Sequence, residues 1–169
     1  ENGETKQWDN AQELSGLPSG VSYDPDSMTL TLNGAALTWL NFTDFYDRPV
    51  TLVVEGENTI TGQATALNFQ ACSNVTVTGS GTLNLTGDEY PFGWHDYNGE
   101  AASDYNLDGT LTFSGLTLNC TNTRTQAPEG YTDEDWSWFT PITLGGGNIR
   151  ITDNAVLTCE GLGFIGVYG

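Results

Sequence analysis

Apolar residues alternate with Thr, Asn or Ser in five short phrases along the chain. The phrases cover residues 30–34, 52–56, 75–79, 111–115 and 149–153. Alternation with a period of two is typical of strands that turn one face to a core and the other to solvent. The phrases therefore predict five related β-strands.

After a turn, each phrase is followed by a second phrase with the same alternation, at 35–39, 58–62, 83–87, 116–120 and 155–159. Candidates for a third strand lie at 21–23, 66–69, 141–144 and 164–167. Three short strands per repeat, buried only by neighbouring repeats, predict an all-β parallel β-helix of about five coils. An antiparallel sandwich is the alternative, but its strands would not need matching phrases at a steady offset.

The repeat also predicts which side chains stack inside the helix. One expected column is Leu32, Val54, Val77, Phe113 and Ile151, and the other is Leu37, Ile60, Leu85, Leu118 and Leu157. Cys120 and Cys159 end matching phrases, so they should be inward neighbours, either as a disulfide or as stacked free thiols. Cys72 has no such neighbour.

The length of 169 residues favours one domain. Residues 1–20 are expected to cap the first coil, with a short helix over 8–17. Further sequence is expected beyond Gly169, because the last coil would otherwise expose its core and its strand edge.

The chain is strongly acidic, with 22 Asp and Glu against 4 Lys and Arg and a net charge of -18. This balance argues against nucleic acid as a partner and against an anionic membrane surface. No apolar run reaches the length of a membrane-spanning helix, which argues against membrane insertion. Abundant Thr, Asn, Ser and Gly suggest a secreted or cell-surface protein.

Two predicted insertions, 88–108 and 121–140, carry 10 of the 22 acidic residues and 9 of the 19 aromatic residues. Both should leave the helix at one corner, together with residues 40–49. Functional residues concentrate on such loops, and aromatic faces beside carboxylates suit sugar binding. The expected ligand-binding residues are Trp94, Tyr97, Trp136 and Trp138. Alternatively, these aromatics form a satellite core that holds the loops.

Acidic clusters in the same insertions make calcium a possible cofactor, because hard cations prefer oxygen ligands. The candidate ligands are Asp104, Asp108, Asp133 and Asp135. Asp24 and Asp26 are weaker candidates and fit a turn better.

Segments 17–24, 28–35, 53–62 and 75–83 resemble the secreted bacterial β-helix domains of the pectate-lyase-like superfamily. Within it they are most similar to its non-catalytic carbohydrate-binding group, and similar phrases occur in adhesin-like proteins. The resemblance implies a right-handed parallel β-helix, with calcium and an acidic plant polysaccharide as possible partners.

The lyases and hydrolases of that superfamily use basic residues beside calcium-binding acids, or clustered aspartates with Gly-His-Gly and Arg-Ile-Lys segments. Here the basic residues are Lys6, Arg48, Arg124 and Arg150, and the single histidine is His95. Neither signature is present, so the expected function is non-catalytic binding of a polysaccharide or surface glycan. The alternatives are a structural or adhesive stalk without a glycan site, and a lyase or hydrolase that uses a carboxylate pair.

Overall fold

A computed structural model of the chain describes residues 16–45, 48–95, 108–126, 129–130, 139–145, 147–161 and 165–168. Within these residues, sixteen strands form three sheets, named A, B and C. No helix in this part of the chain is long and apolar enough to cross a membrane.

The strands of sheet A are β1 (Val21–Asp24), β2 (Thr29–Asn33), β5 (Val50–Glu55), β8 (Asn74–Gly79), β11 (Thr110–Ser114) and β14 (Asn148–Thr152). The strands of sheet B are β3 (Ala36–Leu37), β6 (Glu57–Thr61), β9 (Thr82–Gly87), β12 (Thr117–Asn122) and β15 (Val156–Glu160). The strands of sheet C are β4 (Leu40–Phe45), β7 (Leu67–Cys72), β10 (Phe92–His95), β13 (Ile142–Gly145) and β16 (Ile165–Tyr168).

From β2 onward the chain visits sheets A, B and C in the same order five times, so each repeat gives one strand to each sheet. Strands of neighbouring repeats pair in parallel, which confirms an all-β fold with parallel sheets. Sheet A is mixed, because β1 pairs with β2 in the antiparallel direction. Segment 21–23 is therefore not a third strand of the repeat. That role in the first repeat belongs to β4, inside the segment that was expected to be a loop.

Every corner between sheets A and B contains a residue with positive φ. These residues are Gly34, Gly56, Gly79, Gly115 and, in the last repeat, the pair Asp153 and Asn154. Glycine adopts this left-handed conformation freely, and Asp and Asn tolerate it better than other residues. The corner geometry thus explains why four of the first phrases end in Gly and why the fifth ends in Asp153, followed by Asn154.

The predicted columns contain side chains of the correct sheet face, but the predicted register is wrong for two pairs of neighbouring strands. Val77 lies opposite Leu52 instead of Val54, which pairs with Gly79. Leu85 lies opposite Cys120 instead of Leu118. A shift by two residues keeps every side chain on the same face, so alternation cannot distinguish the two registers.

Seven of the ten predicted column residues are buried: Leu32, Val54, Val77, Phe113, Ile60, Leu85 and Leu118. Leu37 and Leu157 are only partly buried. Ile151 is 57% exposed, so its assignment to the core is wrong. It lies on β14, which pairs with β11 alone within sheet A.

Cys120 pairs in register with Cys159, as the matching phrases predict. All three cysteines are free thiols. Burial, and then the neighbouring Cys159 thiol, raise the pKa of Cys120. Burial also raises the pKa of Cys159.

Asn58 joins three repeats at the corner between sheets A and B. Its Oδ1 accepts a hydrogen bond of 2.9 Å from the Ala35 amide of the first repeat. Its Nδ2 donates to the Glu55 carbonyl at 2.8 Å and lies 3.4 Å from the Thr82 carbonyl of the third repeat. The fully buried amide is thus satisfied by backbone groups, as a buried polar side chain requires.

Candidate functional site

The two long connections of the chain border sheet C on opposite sides. One follows β10 and leads from sheet C to sheet A, and the other follows β12 and leads from sheet B to sheet C. The expectation that both leave one corner is wrong, because strand β10 lies inside the predicted insertion 88–108. Sheet C therefore lies between the corners from which the two longest connections leave.

The side chains of sheet C that point away from the core form two columns, which we call the polar face, and its members on β10 and β13 are buried. Its members are Asn41, Thr43, Asn68, Gln70, Gly93, His95, Thr143 and Gly145. The alternating residues of these strands point into the core, as the complete burial of Leu67 and Phe69 shows. Adjacent members of one column are about 4.8 Å apart, the spacing of paired strands.

Three polar atoms of this face are buried and have no hydrogen-bond partner. They are Asn41 Oδ1, Asn68 Oδ1 and His95 Nε2, and no other buried side-chain nitrogen or oxygen of the described residues shares this property. The Nδ2 group of Asn41 is already engaged, since it lies 2.7 Å from Thr43 Oγ1. An unmet buried polar atom costs about 1–3 kcal/mol, so these three atoms distinguish this face from the other described side chains.

The outward face of sheet B provides an internal comparison. There, Asn84 and Asn119 are also paired in register on adjacent strands. Asn119 Nδ2 donates to Asn84 Oδ1 at 2.9 Å, so a hydrogen bond joins the two side chains and the Asn84 oxygen has a partner. Asn41 and Asn68 are in the same relation on sheet C, yet both of their carboxamide oxygens stay unpartnered.

Gly93 makes room at the centre of the polar face. A Cβ atom at this position would lie 2.5 Å from Asn68 Oδ1 and 3.0 Å from the Tyr90 ring. The space above Gly93 is therefore shared by the Asn68 carboxamide and the partly buried Tyr90 side chain. Tyr90 also makes an edge contact with His95, at 5.6 Å between ring centroids.

His95 is 7% exposed, and burial lowers its pKa to about 4. The imidazole is consequently neutral at neutral pH. A neutral imidazole has one nitrogen that donates and one that accepts, so His95 adds a polar group to this face without adding charge.

A second group of contacts joins the β9–β10 and β12–β13 connections, which both lead from sheet B to sheet C. Arg124 Nε donates to the Asp88 carbonyl at 2.8 Å, and its guanidinium pairs with the Asp88 carboxylate at 3.2 Å. The same guanidinium lies 4.8 Å from the centre of the Phe139 ring. Asn122 Nδ2 donates to the carbonyls of Glu89 and Phe139, which ties the end of β12 to both neighbouring segments.

Comparison with protein-family models, curated proteins and solved structures gives no match for this chain. The geometry of the polar face is therefore the basis on which a function is inferred.

The structure places one of the four predicted ligand-binding aromatics. Trp94 is fully buried in the column that also contains Phe42 and Phe69, and its Nε1 donates to the Cys72 carbonyl at 2.7 Å. Its expected position on an exposed groove is wrong, because it is an inward residue of β10. The other three, Tyr97, Trp136 and Trp138, lie outside the described residues.

Of the predicted calcium ligands, Asp108 lies in a turn and is exposed. Asp104, Asp133 and Asp135 lie outside the described residues. Among the residues that are described, no three His, Cys, Asp or Glu side chains come together as a metal site would need. The segment at Asp24 is a turn as expected, with Asp24 Oδ1 accepting a hydrogen bond from the Asp26 amide.

The residues of the polar face were not among the predicted site residues, although the sequence carries a signal for them. Leu40-Asn-Phe recurs as Leu67-Asn-Phe, and the two segments pair residue by residue in sheet C. This third repeated phrase marks both strands and their outward asparagines.

Proposed function

We propose that the protein binds a carbohydrate without cleaving it, and that the polar face of sheet C is the binding surface. The observation that supports this most directly is the pair of in-register asparagines, Asn41 and Asn68, whose oxygens have no partner. On sheet B a hydrogen bond from Asn119 Nδ2 to Asn84 Oδ1 joins the equivalent pair.

A glycan suits this surface because its hydroxyl groups can donate to several acceptors at once. The ring of Tyr90, partly exposed above Gly93, could stack on the apolar face of a sugar. Because Asn41 Oδ1 and Asn68 Oδ1 are buried, binding requires a local movement that opens the face, and Tyr90, which lies near Asn68 above Gly93, is the side chain we expect to move. A rigid sheet with a few well-placed polar groups and one aromatic is a common form of small-ligand site.

We also propose that the three sheets form a right-handed parallel β-helix of about five coils, in a secreted or cell-surface protein. The order of the strands, one per sheet in each repeat, supports the β-helix. The resemblance to the secreted β-helix domains supports the handedness and the location.

The test uses two variants, Asn68→Ala and Asn119→Ala. Both remove an outward asparagine from a paired position, one on sheet C and the other on sheet B. A glycan array identifies a ligand for the wild-type protein, and calorimetry measures its affinity for all three proteins. Only Asn68→Ala should lose affinity, by about 3- to 10-fold for one hydrogen bond.

Equal loss in both variants, or in neither, would rule out the polar face as the site. If the folded wild-type protein binds no glycan on the array, the structural stalk becomes the better function. Release of reducing or unsaturated ends from a bound glycan would instead support an enzyme.

A further inference from the structure

We infer that the polar face selects a neutral glycan over an acidic one, an inference that rests on the proposed function. The direction of the missing hydrogen bonds, the positions of the cations and the charge of the whole chain all favour it.

A ligand of the polar face must supply hydrogen-bond donors. Asn41 Oδ1 and Asn68 Oδ1 are acceptors, and both are without a partner. A sugar hydroxyl can donate to such an oxygen, whereas an ionised carboxylate offers only acceptors. A carboxylate next to two carboxamide oxygens would leave all three acceptors without a hydrogen-bond donor, and their desolvation would weaken binding.

None of the described cationic side chains forms a hydrogen bond or ion pair with a member of the polar face, although Arg124 and Arg48 both lie near sheet C. Arg124 is paired with Asp88, and Arg48 lies over the Phe45 ring at 5.8 Å. Arg150 lies on β14 of sheet A, which is a different sheet from the polar face. Binding of a carboxylated sugar usually depends on an Arg or Lys that can pair with it.

His95, the titratable member of the polar face, adds no positive charge at neutral pH. Because His95 is buried, it stays neutral at the pH at which uronic acids are ionised. A net charge of -18 also repels a polyanion over a distance of about one Debye length, roughly 10 Å at moderate salt. An acidic polysaccharide would need bridging calcium to overcome this repulsion.

Native affinity electrophoresis tests the inference, with the full chain run through gels that contain one polysaccharide each. The neutral probes are hydroxyethyl cellulose, linear xylan and galactomannan, and the acidic probe is polygalacturonate. Each gel is run once with calcium and once with a chelator, at constant ionic strength. Wild type, Asn68→Ala and Asn119→Ala are compared, with matched melting temperatures as the check on folding.

The expected result is retardation by at least one neutral probe, independent of calcium, with about 3- to 10-fold weaker binding for Asn68→Ala and no change for Asn119→Ala. Stronger retardation by polygalacturonate, lost in Asn68→Ala, would overturn the neutral selection and leave glycan binding intact. Equal retardation of wild type and Asn68→Ala would show that the polar face is not the binding site. If none of the probes retards the protein, the proposed function is overturned as well.

Discussion

Single polar residues distinguish the three sheets more clearly than the apolar residues do. Inside the corner between sheets A and B, Asn58 is buried and fully bonded to the backbone. On sheet B, Asn84 and Asn119 bond to each other, while on sheet C the Asn68 oxygen has no partner. The same residue type therefore stabilises the fold at one place and leaves a binding opportunity at another.

Replacing Asn58 by Ala should destabilise the fold by about 1–3 kcal/mol, because the buried Ala35 amide loses its acceptor. Urea unfolding measures the change. The matched control is Asn33→Ala, at an exposed asparagine, which should stay within about 0.5 kcal/mol of wild type. Equal effects of the two changes would contradict the role of Asn58 in joining three repeats.

His95 gives the stability a specific dependence on pH. Its pKa is about 4 in the folded chain and near the ordinary 6.5 in the unfolded chain. Between these values the unfolded state takes up a proton that the folded state does not, so stability falls as the pH is lowered from 6.5 to 4. The loss amounts to about 3 kcal/mol.

Many carboxylates titrate in the same range, so the measurement compares wild type with His95→Gln. Unfolding free energies at pH 7 and pH 4 should show a larger loss for wild type. Parallel pH profiles for the two proteins would show that His95 is not buried as described.

At the level of strands and corners, close backbone approach decides the register. Gly79 has a φ of 137° and lies against Val54, and a Cβ there would clash with the Val54 carbonyl oxygen. Gly34 has a φ of 70° at the corresponding corner of the first repeat, with no atom near the position of a Cβ.

Gly79→Ala should therefore destabilise the protein much more than Gly34→Ala. For Gly34→Ala only the left-handed conformation is unfavourable, at about 1–2 kcal/mol. For Gly79→Ala the clash with the neighbouring strand is added. Thermal and urea unfolding of the two variants measure which change destabilises the protein more. A smaller effect at Gly79 would contradict the register of β5 with β8.

Alternation in the sequence is sufficient to identify the strands of sheets A and B and their inward faces. It cannot fix register, because a shift of two residues keeps Val77 and Leu85 on the core side. It also missed β10, because Phe92 and Trp94 were attributed to an aromatic-rich loop although they alternate with the outward residues Gly93 and His95. The unmet oxygens of the polar face depend on side-chain contacts between repeats, which no local pattern reveals.

Over the whole molecule, burial depends on a residue's position along the stack of repeats. Phe113 and Ile151 are partners in one column of sheet A, yet Phe113 is 1% exposed and Ile151 is 57% exposed. The stability of a stacked repeat protein is approximately the sum of its repeats and of the contacts between neighbours. The fourth repeat should thus contribute more than the fifth.

Phe113→Ala should cost about 3–5 kcal/mol, as truncation of a buried aromatic does. Ile151→Ala should cost less than about 1 kcal/mol, because an exposed side chain loses little burial. Unfolding in urea compares the two variants. A large loss for Ile151→Ala would show that the last repeat is covered in solution.

The central claim is that the polar face of sheet C binds a neutral glycan, and a crystal structure of the protein with a bound neutral oligosaccharide tests it most directly. This account predicts sugar hydroxyls within hydrogen-bond distance of Asn41 Oδ1 and Asn68 Oδ1, with a sugar ring against Tyr90. An oligosaccharide bound at another surface, with these two oxygens bonded to each other's amides or to water, would contradict it.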